Sequence, residues 1–193
     1  MAQEQVNKTK LIIIGGSSGS LEVIMKILPV LKKDLGLPII IVMHRNTSAD
    51  SALTELLASR TQLKVKEADD KDVIEAGCIY IAPPDYHLLV EADGTLSLDA
   101  SERVHYCRPS IDVSFMSAAV AYRDELLALL LSGANADGAA GIKEIKEAGG
   151  YTIVQDPLEA GVAYMPEQAL LTNAVDKVMK AEEMGEWLNN ISA

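Results

Sequence analysis

The chain alternates short, wholly apolar runs with longer stretches in which apolar side chains recur every three or four positions. Leu11-Ile12-Ile13-Ile14 reads as a buried strand that Gly15-Gly16 ends. Leu21, Ile24, Met25, Leu28 and Leu31 then fall at helical spacing, and Gly36 and Pro38 stop that helix. Residues 39–43 form a second buried strand, residues 50–59 a helix, and residues 64–66 a weaker strand. Residues 79–81 read as another strand, closed by Pro83-Pro84. Residues 87–91 and 95–98 flank Ala92-Asp93-Gly94, where Asp-Gly between alternating runs predicts a hairpin. A helix over 110–122 follows Pro109, then come a continuously apolar strand over 126–131, a helix over 138–147 ending at Gly149-Gly150, and a strand over 151–154. Pro166, near N1, starts a helix over 166–171, and residues 180–190 suit a terminal helix.

Strands that are apolar on both faces and separated by helices predict a mostly parallel sheet covered on two sides. The hairpin is expected as an antiparallel addition at one edge of that sheet. The chain shows no internal repeat and no low-complexity linker. Its 193 residues suit one large domain or at most two small ones, with 49 % hydrophobic and 23 % charged residues excluding wholesale disorder. Only 4 % is aromatic, so the core must be aliphatic. In such folds ligands bind at the carboxyl ends of the strands, which directs attention to loops 15–20, 44–49, 83–86, 132–138 and 155–165.

Charge narrows the partners. With 17 basic and 28 acidic residues the net charge is −11, and no Lys/Arg run offsets it locally, so nucleic acid is not an expected partner. Two cysteines, Cys78 and Cys107, are too few for a disulfide scaffold. The first ten residues lack the apolar stretch of a secretory signal, and no apolar run approaches the ~20 residues of a membrane span. A cytoplasmic location without membrane insertion is therefore expected.

The segment Gly15-Gly16-Ser17-Ser18-Gly19 fits G-x-S-x-G between a strand and a helix. A tight glycine turn lifts the Ser17 hydroxyl to the rim of the sheet, and the N–H groups of the next helix suit a developing oxyanion. The same N–H groups suit a phosphate, and a plain capped turn has the same composition. A serine nucleophile needs a base. His44 directly follows strand 39–43, at the carboxyl edge beside Ser17, which favours it over His87 and His105; a loop-capping role is its bland alternative. The base needs an orienting carboxylate. Asp137 lies after strand 126–131, although an Asp before a helix is also an ordinary N-cap. The order Ser–His–Asp differs from that of α/β-hydrolases, chymotrypsin and subtilisin.

Other candidates are weaker. Cys107 stands two residues from His105, poor spacing for a thiol–base pair. Cys78, His87, His105 and Cys107 contain no C-x-x-C, so no zinc site is expected. Arg108-Pro109-Ser110-Ile111-Asp112 reads as a turn in which Ser110 caps the next helix; Arg108 is either solvated or holds an acidic substrate group. Residues 69–72 read as a solvated loop.

Taken together, Ile14-Gly15-Gly16-Ser17-Ser18-Gly19, Val42-Met43-His44, Ile79-Tyr80-Ile81-Ala82-Pro83-Pro84, His87-Leu88-Leu89, Arg108-Pro109-Ser110-Ile111-Asp112, Ser132-Gly133 through Asp137-Gly138-Ala139, Gln155-Asp156 and Met165-Pro166 resemble the catalytic domain of the bacterial chemotaxis protein-glutamate methylesterase, over about residues 9–180. The resemblance implies a three-layer α/β/α fold with about seven mostly parallel strands and one antiparallel hairpin. It implies Ser17 as nucleophile, His44 as base and Asp137 as orienting acid, with Ser18 and Ala134 in the oxyanion loop and no cofactor. It also implies hydrolysis of γ-glutamyl methyl esters on the cytoplasmic helices of chemotaxis receptors, and deamidation of receptor glutamines. Two departures stand out. The family commonly reads Gly-Met-Gly where this chain has Gly133-Ala134-Asn135; a main-chain N–H survives at Ala134, but a misplaced oxyanion donor costs ~10²–10³ in rate. The family's N-terminal receiver domain is also not expected here, since about nine residues precede the first strand. A catalytically weak signalling or scaffold module and an anion binder therefore stay open as alternatives.

Overall fold

The computed structural model describes residues 6–45 and 51–191. Residue 50, the expected start of a helix, and residues 46–49 of loop 44–49 lie outside them. The elements run β1 (Leu11–Gly16), α1 (Ser20–Ile27), β2 (Ile39–Met43), α2 (Ser51–Ala58), β3 (Lys64–Glu67), β4 (Cys78–Ile81), β5 (His87–Val90), β6 (Leu96–Asp99), α3 (Ile111–Tyr122), β7 (Leu126–Leu130), α4 (Ala139–Glu147), β8 (Tyr151–Gln155), α5 (Tyr164–Leu171), β9 (Lys177–Met179) and α6 (Ala181–Asn189).

Seven strands form one sheet in the order β3-β4-β2-β1-β7-β8-β9, with every neighbouring pair parallel. The two-residue period of a strand divides its apolar side chains between two cores. Ile12, Ile14, Ile39 and Ile41 point to the side covered by α1 and α6, where Ile24, Ile27, Met184 and Leu188 meet them. Leu11, Ile13, Ile40 and Val42 point to the side covered by α3 and α4, against Phe115, Ala118, Ile142 and Ile145. The three layers follow directly.

The edge strand β9 carries no apolar run to betray it. Its three residues pair with β8 alone, and Val178 is exposed, so only Met179 records its burial.

The hairpin corrects the expectation of an edge addition. β5 and β6 form a separate two-stranded antiparallel sheet, and the edges of the main sheet are β3 and β9. Leu88, Val90 and Leu96 are buried in the same core as α3. The polar side of the contact is equally specific. Ser114 Oγ donates to Leu88 O at 2.7 Å, and Val90 N donates to Ser117 Oγ at 3.0 Å. Just before the helix, Ser110 N donates to His87 Nδ1 at 3.1 Å. Ser110, Ser114 and Ser117 are four and three residues apart and so share one face. On its other side the hairpin is bound by residues 69–72, which are no free solvated loop. Lys71 N donates to Leu96 O and Leu96 N to Asp72 O, both at 2.8 Å, and Leu98 N reaches Asp70 Oδ1 at 3.2 Å.

The strand order reverses at β1, which has β2 on one side and β7 on the other. The crevice above the carboxyl ends of strands at such a reversal is where open α/β sheets hold their ligands. Residues 17, 44 and 137 follow those three strands.

Candidate active site

The turn after β1 is shaped by close approaches. Gly19 caps α1 at φ 85°, and a Cβ there would stand 2.7 Å from Ser132 Oγ. At Gly16 a Cβ would collide with that of Ser20. The backbone around Ser17 is tied on both sides. Ser17 N donates to Ser132 O at 2.9 Å, while Ser20 Oγ donates to Ser17 O at 2.6 Å. Ser132 Oγ in turn donates to Ser18 O at 2.6 Å. From β2, His44 N donates to Gly16 O at 3.3 Å, which sets the imidazole beside Ser17.

The side chains form one line. Ser17 Oγ lies 3.0 Å from His44 Nδ1, and His44 Nε2 lies 2.7 Å from Asp137 Oδ2. A carboxylate only accepts, so Nε2 carries the proton toward Asp137 and Nδ1 is left to accept from the serine hydroxyl. Asp137 is fully buried. Its Oδ1 takes Ser110 Oγ at 2.8 Å and Asp112 N at 3.0 Å; its Oδ2 takes Ile111 N at 2.7 Å as well as His44. Burial pushes its pKa up, but His44, the Asp112 and Ile111 N–H groups and Ser110 outweigh it and hold the carboxyl below its ordinary value.

Asp137 therefore does not cap the helix that follows it. It sits on the N-terminus of α3, and the cap of α4 is Gly138. The free N–H groups of α4 are met by Asp112, whose Oδ1 takes Gly138 N at 2.9 Å and Gly141 N at 2.7 Å. Asp112 is also buried, and burial together with the charge of Asp137 pushes its carboxyl up despite those bonds. Ser110 caps α3 as the sequence indicates, its Oγ accepting from Val113 N at 3.5 Å, but its bond to Asp137 and the roles of Asp112 and His87 were missed in the sequence. The only signal was the helix start at Pro109-Ser110, which says nothing of what its N–H groups bind.

A cavity of about 300 Å³ opens over the line, bounded by Ser17, Ser18, His44, Arg45, Asp85, Arg103, Tyr106, Cys107 and Arg108. Three arginines give it a basic wall in an acidic protein. Arg45 Nη1 donates to Glu67 Oε2 and Ala82 O, both at 3.1 Å. Arg108 is half-buried rather than freely solvated: its Nη1 donates to Ala100 O at 2.8 Å and Ser101 O at 2.7 Å. Val104 and Cys107 bond each other's backbones across a two-residue turn at His105-Tyr106, both at positive φ, and Tyr106 at its tip is 94 % exposed. Cys107 faces the line rather than His105. Burial and Asp137 raise its thiol pKa, so it stays protonated near neutrality.

The structure brings Ser17, Ser18, His44 and Arg108 to the cavity and places Asp137 directly beneath it. Ala134 lies on the exposed turn after β7, outside the lining of the cavity. That turn is nonetheless ordered: Asn135 Oδ1 accepts from Asp137 N at 3.2 Å, and Asn135 Nδ2 reaches Cys107 Sγ at 3.5 Å. Among the described residues, neither the Ser18 nor the Ala134 N–H meets an acceptor. His87 is fully buried, whereas His105 is exposed, with Nε2 3.6 Å from Asp112 Oδ2.

Among the described residues, two groups hold possible ligand atoms that lie within 4.8 Å of one another inside each group, His44–Cys107–Asp137 and His105–Asp112–Asp137. Both depend on Asp137, and its two oxygens already accept four hydrogen bonds, which is the capacity of a carboxylate.

Residues 12–188 match the family described as CheB methylesterase. A Leptospira interrogans protein named as a candidate protein-glutamate methylesterase/protein-glutamine glutaminase is 45 % identical over 175 residues, which cover 91 % of each chain. A Halobacterium salinarum protein-glutamate methylesterase/protein-glutamine glutaminase is 36 % identical over 179 residues; the match covers 91 % of this chain but 52 % of that one, so the chain spans about half the length of this longer relative. The crystal structure of the Thermotoga maritima CheB methylesterase catalytic domain superimposes with a TM-score of 0.90 at 32 % identity, covering 95 % of this chain and 98 % of that one.

Proposed function

The chain belongs to the CheB methylesterase family and is a hydrolase, and on that premise we propose that it cleaves glutamate γ-methyl esters on the cytoplasmic helices of methyl-accepting chemotaxis receptors, releasing methanol, with Ser17 as nucleophile, His44 as general base and Asp137 as the acid that orients it. The observation that carries the reading is the unbroken line from Ser17 Oγ through His44 Nδ1 and Nε2 to Asp137 Oδ2.

The steps follow from that line. As Ser17 Oγ bonds to the ester carbonyl carbon, its proton passes to His44 Nδ1. The imidazolium formed is stabilised through Nε2 by the ionised Asp137, whose lowered pKa keeps it charged. Negative charge develops on the carbonyl oxygen, and in this reading it is received by the Ser18 N–H, which has no acceptor among the described residues and belongs to a cavity-lining residue just before α1; Ala134, outside that lining, supplies no donor at its described position. The tetrahedral intermediate collapses: the bond to the methoxy oxygen breaks, and His44 returns the proton to that oxygen as methanol leaves. Water then attacks the acyl-enzyme, gives a proton to His44, and the second collapse frees the glutamate carboxylate and restores Ser17–OH. A glutamine side chain follows the same course with ammonia as leaving group. Arg108, locked by two carbonyls at the cavity wall, offers positive charge to acidic residues beside the scissile group.

The reading makes residues 1–193 one catalytic domain acting in the cytoplasm. The test is methanol release from methyl-labelled receptor membranes beside Ser17→Ala. Release that vanishes in the variant supports the reading; full release by the variant overturns the role of Ser17, and receptor binding without release by the wild type returns the module reading.

A further inference from the structure

His87 is the one fully buried histidine, and the catalytic line does not include it. Its two ring nitrogens nonetheless have fixed tasks. Nδ1 accepts from Ser110 N at 3.1 Å, and Nε2 lies 3.0 Å from Glu102 O. A carbonyl only accepts and an N–H only donates, so the ring is neutral with its proton on Nε2. Ser110 is the residue whose Oγ donates to Asp137 Oδ1 at 2.8 Å, and the next two N–H groups, of Ile111 and Asp112, hold the same carboxylate. The peptide that His87 grips thus opens the three-donor cradle of Asp137.

We propose that His87 is a positioning residue for the hydrolytic reaction. Through its Nδ1 it fixes the Ser110 peptide, and through that peptide the carboxylate that orients His44. The hydrogen-bonded chain then runs His87–Ser110–Asp137–His44–Ser17, from the hairpin to the cavity. This gives the hairpin a task that the parallel sheet cannot perform. It carries an acceptor to the start of α3, where the Ser110 N–H is buried and faces no other acceptor among the described residues. A buried N–H that loses its partner shifts to find another, and a small shift here is transmitted to a group whose distance to His44 is 2.7 Å. The proposal rests on the triad reading above.

Two near-isosteric substitutions separate the ring's two bonds. In His87→Asn the amide oxygen takes the place of Nδ1 and still accepts from Ser110 N, but nothing reaches Glu102 O. In His87→Gln the amide nitrogen takes the place of Nε2 and still donates to Glu102 O, but Ser110 N loses its acceptor. The probe is a fluorophosphonate, which phosphonylates an activated serine with loss of fluoride and needs no receptor substrate. Its limiting rate at saturation reads activation of Ser17, and its half-saturating concentration reads binding. The expected result is labelling of the wild type at Ser17, a near wild-type limiting rate in His87→Asn, and a limiting rate about 10- to 100-fold lower in His87→Gln with unchanged half-saturation. Thermal unfolding of both variants separates this from general damage, because each loses one buried bond and the rates should not follow Tm. Equal limiting rates in the two variants, or rates that track Tm, overturn the role of His87 while leaving the triad standing. A wild type that is not labelled overturns the triad reading, and this proposal with it.

Discussion

Asp112 and Asp137 hold each other's helices. Asp137 receives the Ile111 and Asp112 N–H groups at the start of α3, and Asp112 receives those of Gly138 and Gly141 at the start of α4. Two helix N-termini, each with its positive end, thus meet at two buried carboxylates that repel one another. The conflict is resolved unequally. Asp137, with His44 as an extra partner, is held below its ordinary pKa, and Asp112 is pushed above its own.

Asp112→Asn should therefore be tolerated. The amide oxygen still accepts from Gly138 and Gly141, and the repulsion of Asp137 disappears. A raised folded-state pKa means that the charged form is disfavoured by folding; this cost is full at neutral pH and gone below the unfolded value. The variant should have a Tm equal to the wild type or about 2–4 °C higher at pH 7, with the gap closing as pH falls toward 4. Asp112→Ala leaves two buried N–H groups without acceptors and should lose about 2–4 kcal/mol. Thermal scans across pH check both.

Asp137 has the opposite sign. Its depressed pKa contributes stability that is present above the unfolded value near 3.8 and lost as pH falls through the folded value. The wild type should lose stability steeply below about pH 4, and Asp137→Asn should flatten that part of the curve. The same variant gives His44 the wrong tautomer partner and should lower kcat about 10⁴-fold. Denaturant titrations and methanol release measure the two effects separately.

Ser17→Ala removes a half-buried hydroxyl with no packing role. Hydrolysis should fall about 10⁴- to 10⁶-fold with Tm unchanged. Intact-mass analysis after fluorophosphonate treatment should find the label on Ser17 in the wild type and none in the variant.

Cys107→Ala should keep near wild-type kcat. The thiol borders the cavity but stands outside the line from Ser17 to Asp137, and burial keeps it protonated. Loss of turnover in this variant, measured beside Ser17→Ala, would place the sulfur in the reaction.

Gly19→Ala tests the turn itself. The left-handed φ of 85° costs an alanine about 1–2 kcal/mol, and its Cβ would push on Ser132 Oγ at 2.7 Å. Because Ser132 also holds the Ser17 and Ser18 backbones, Tm and kcat should fall together, whereas Ser17→Ala lowers kcat alone.

The convergence of Ser17, His44 and Asp137 was legible because Ser17 and His44 directly follow wholly buried strands and Asp137 lies in the loop after a third. Runs such as residues 39–43 and 126–131 mark parallel strands, and their carboxyl ends converge at the switch of strand order. The cradle beneath it was not legible. Ser110 and Asp112 announce a helix start, but their partner lies 25 or more residues away, and no local pattern records a contact between helix ends. On position alone Asp137 read more readily as a cap for α4, the helix beside it in sequence. The hairpin's strands were visible from alternation, yet their place was not, since the serines that receive β5 look like ordinary polar positions on a helix. β9 escaped because an edge strand of three residues needs no apolar run.

The line from Ser17 to Asp137 also has a temporal meaning. Its contacts span 27 and 93 positions of the chain, and they are made by β1, β2 and β7, the strands at the middle of the sheet. Parallel pairing over such distances is among the slow events of folding. On the ribosome Ser17 and His44 emerge well before Asp137 and before the start of α3 that grips it. On the proposed mechanism, a nascent or half-unfolded chain therefore carries a serine with no working base. Hydrolytic activity becomes a direct count of molecules whose central sheet has closed, so that incomplete copies are silent without any inhibitor.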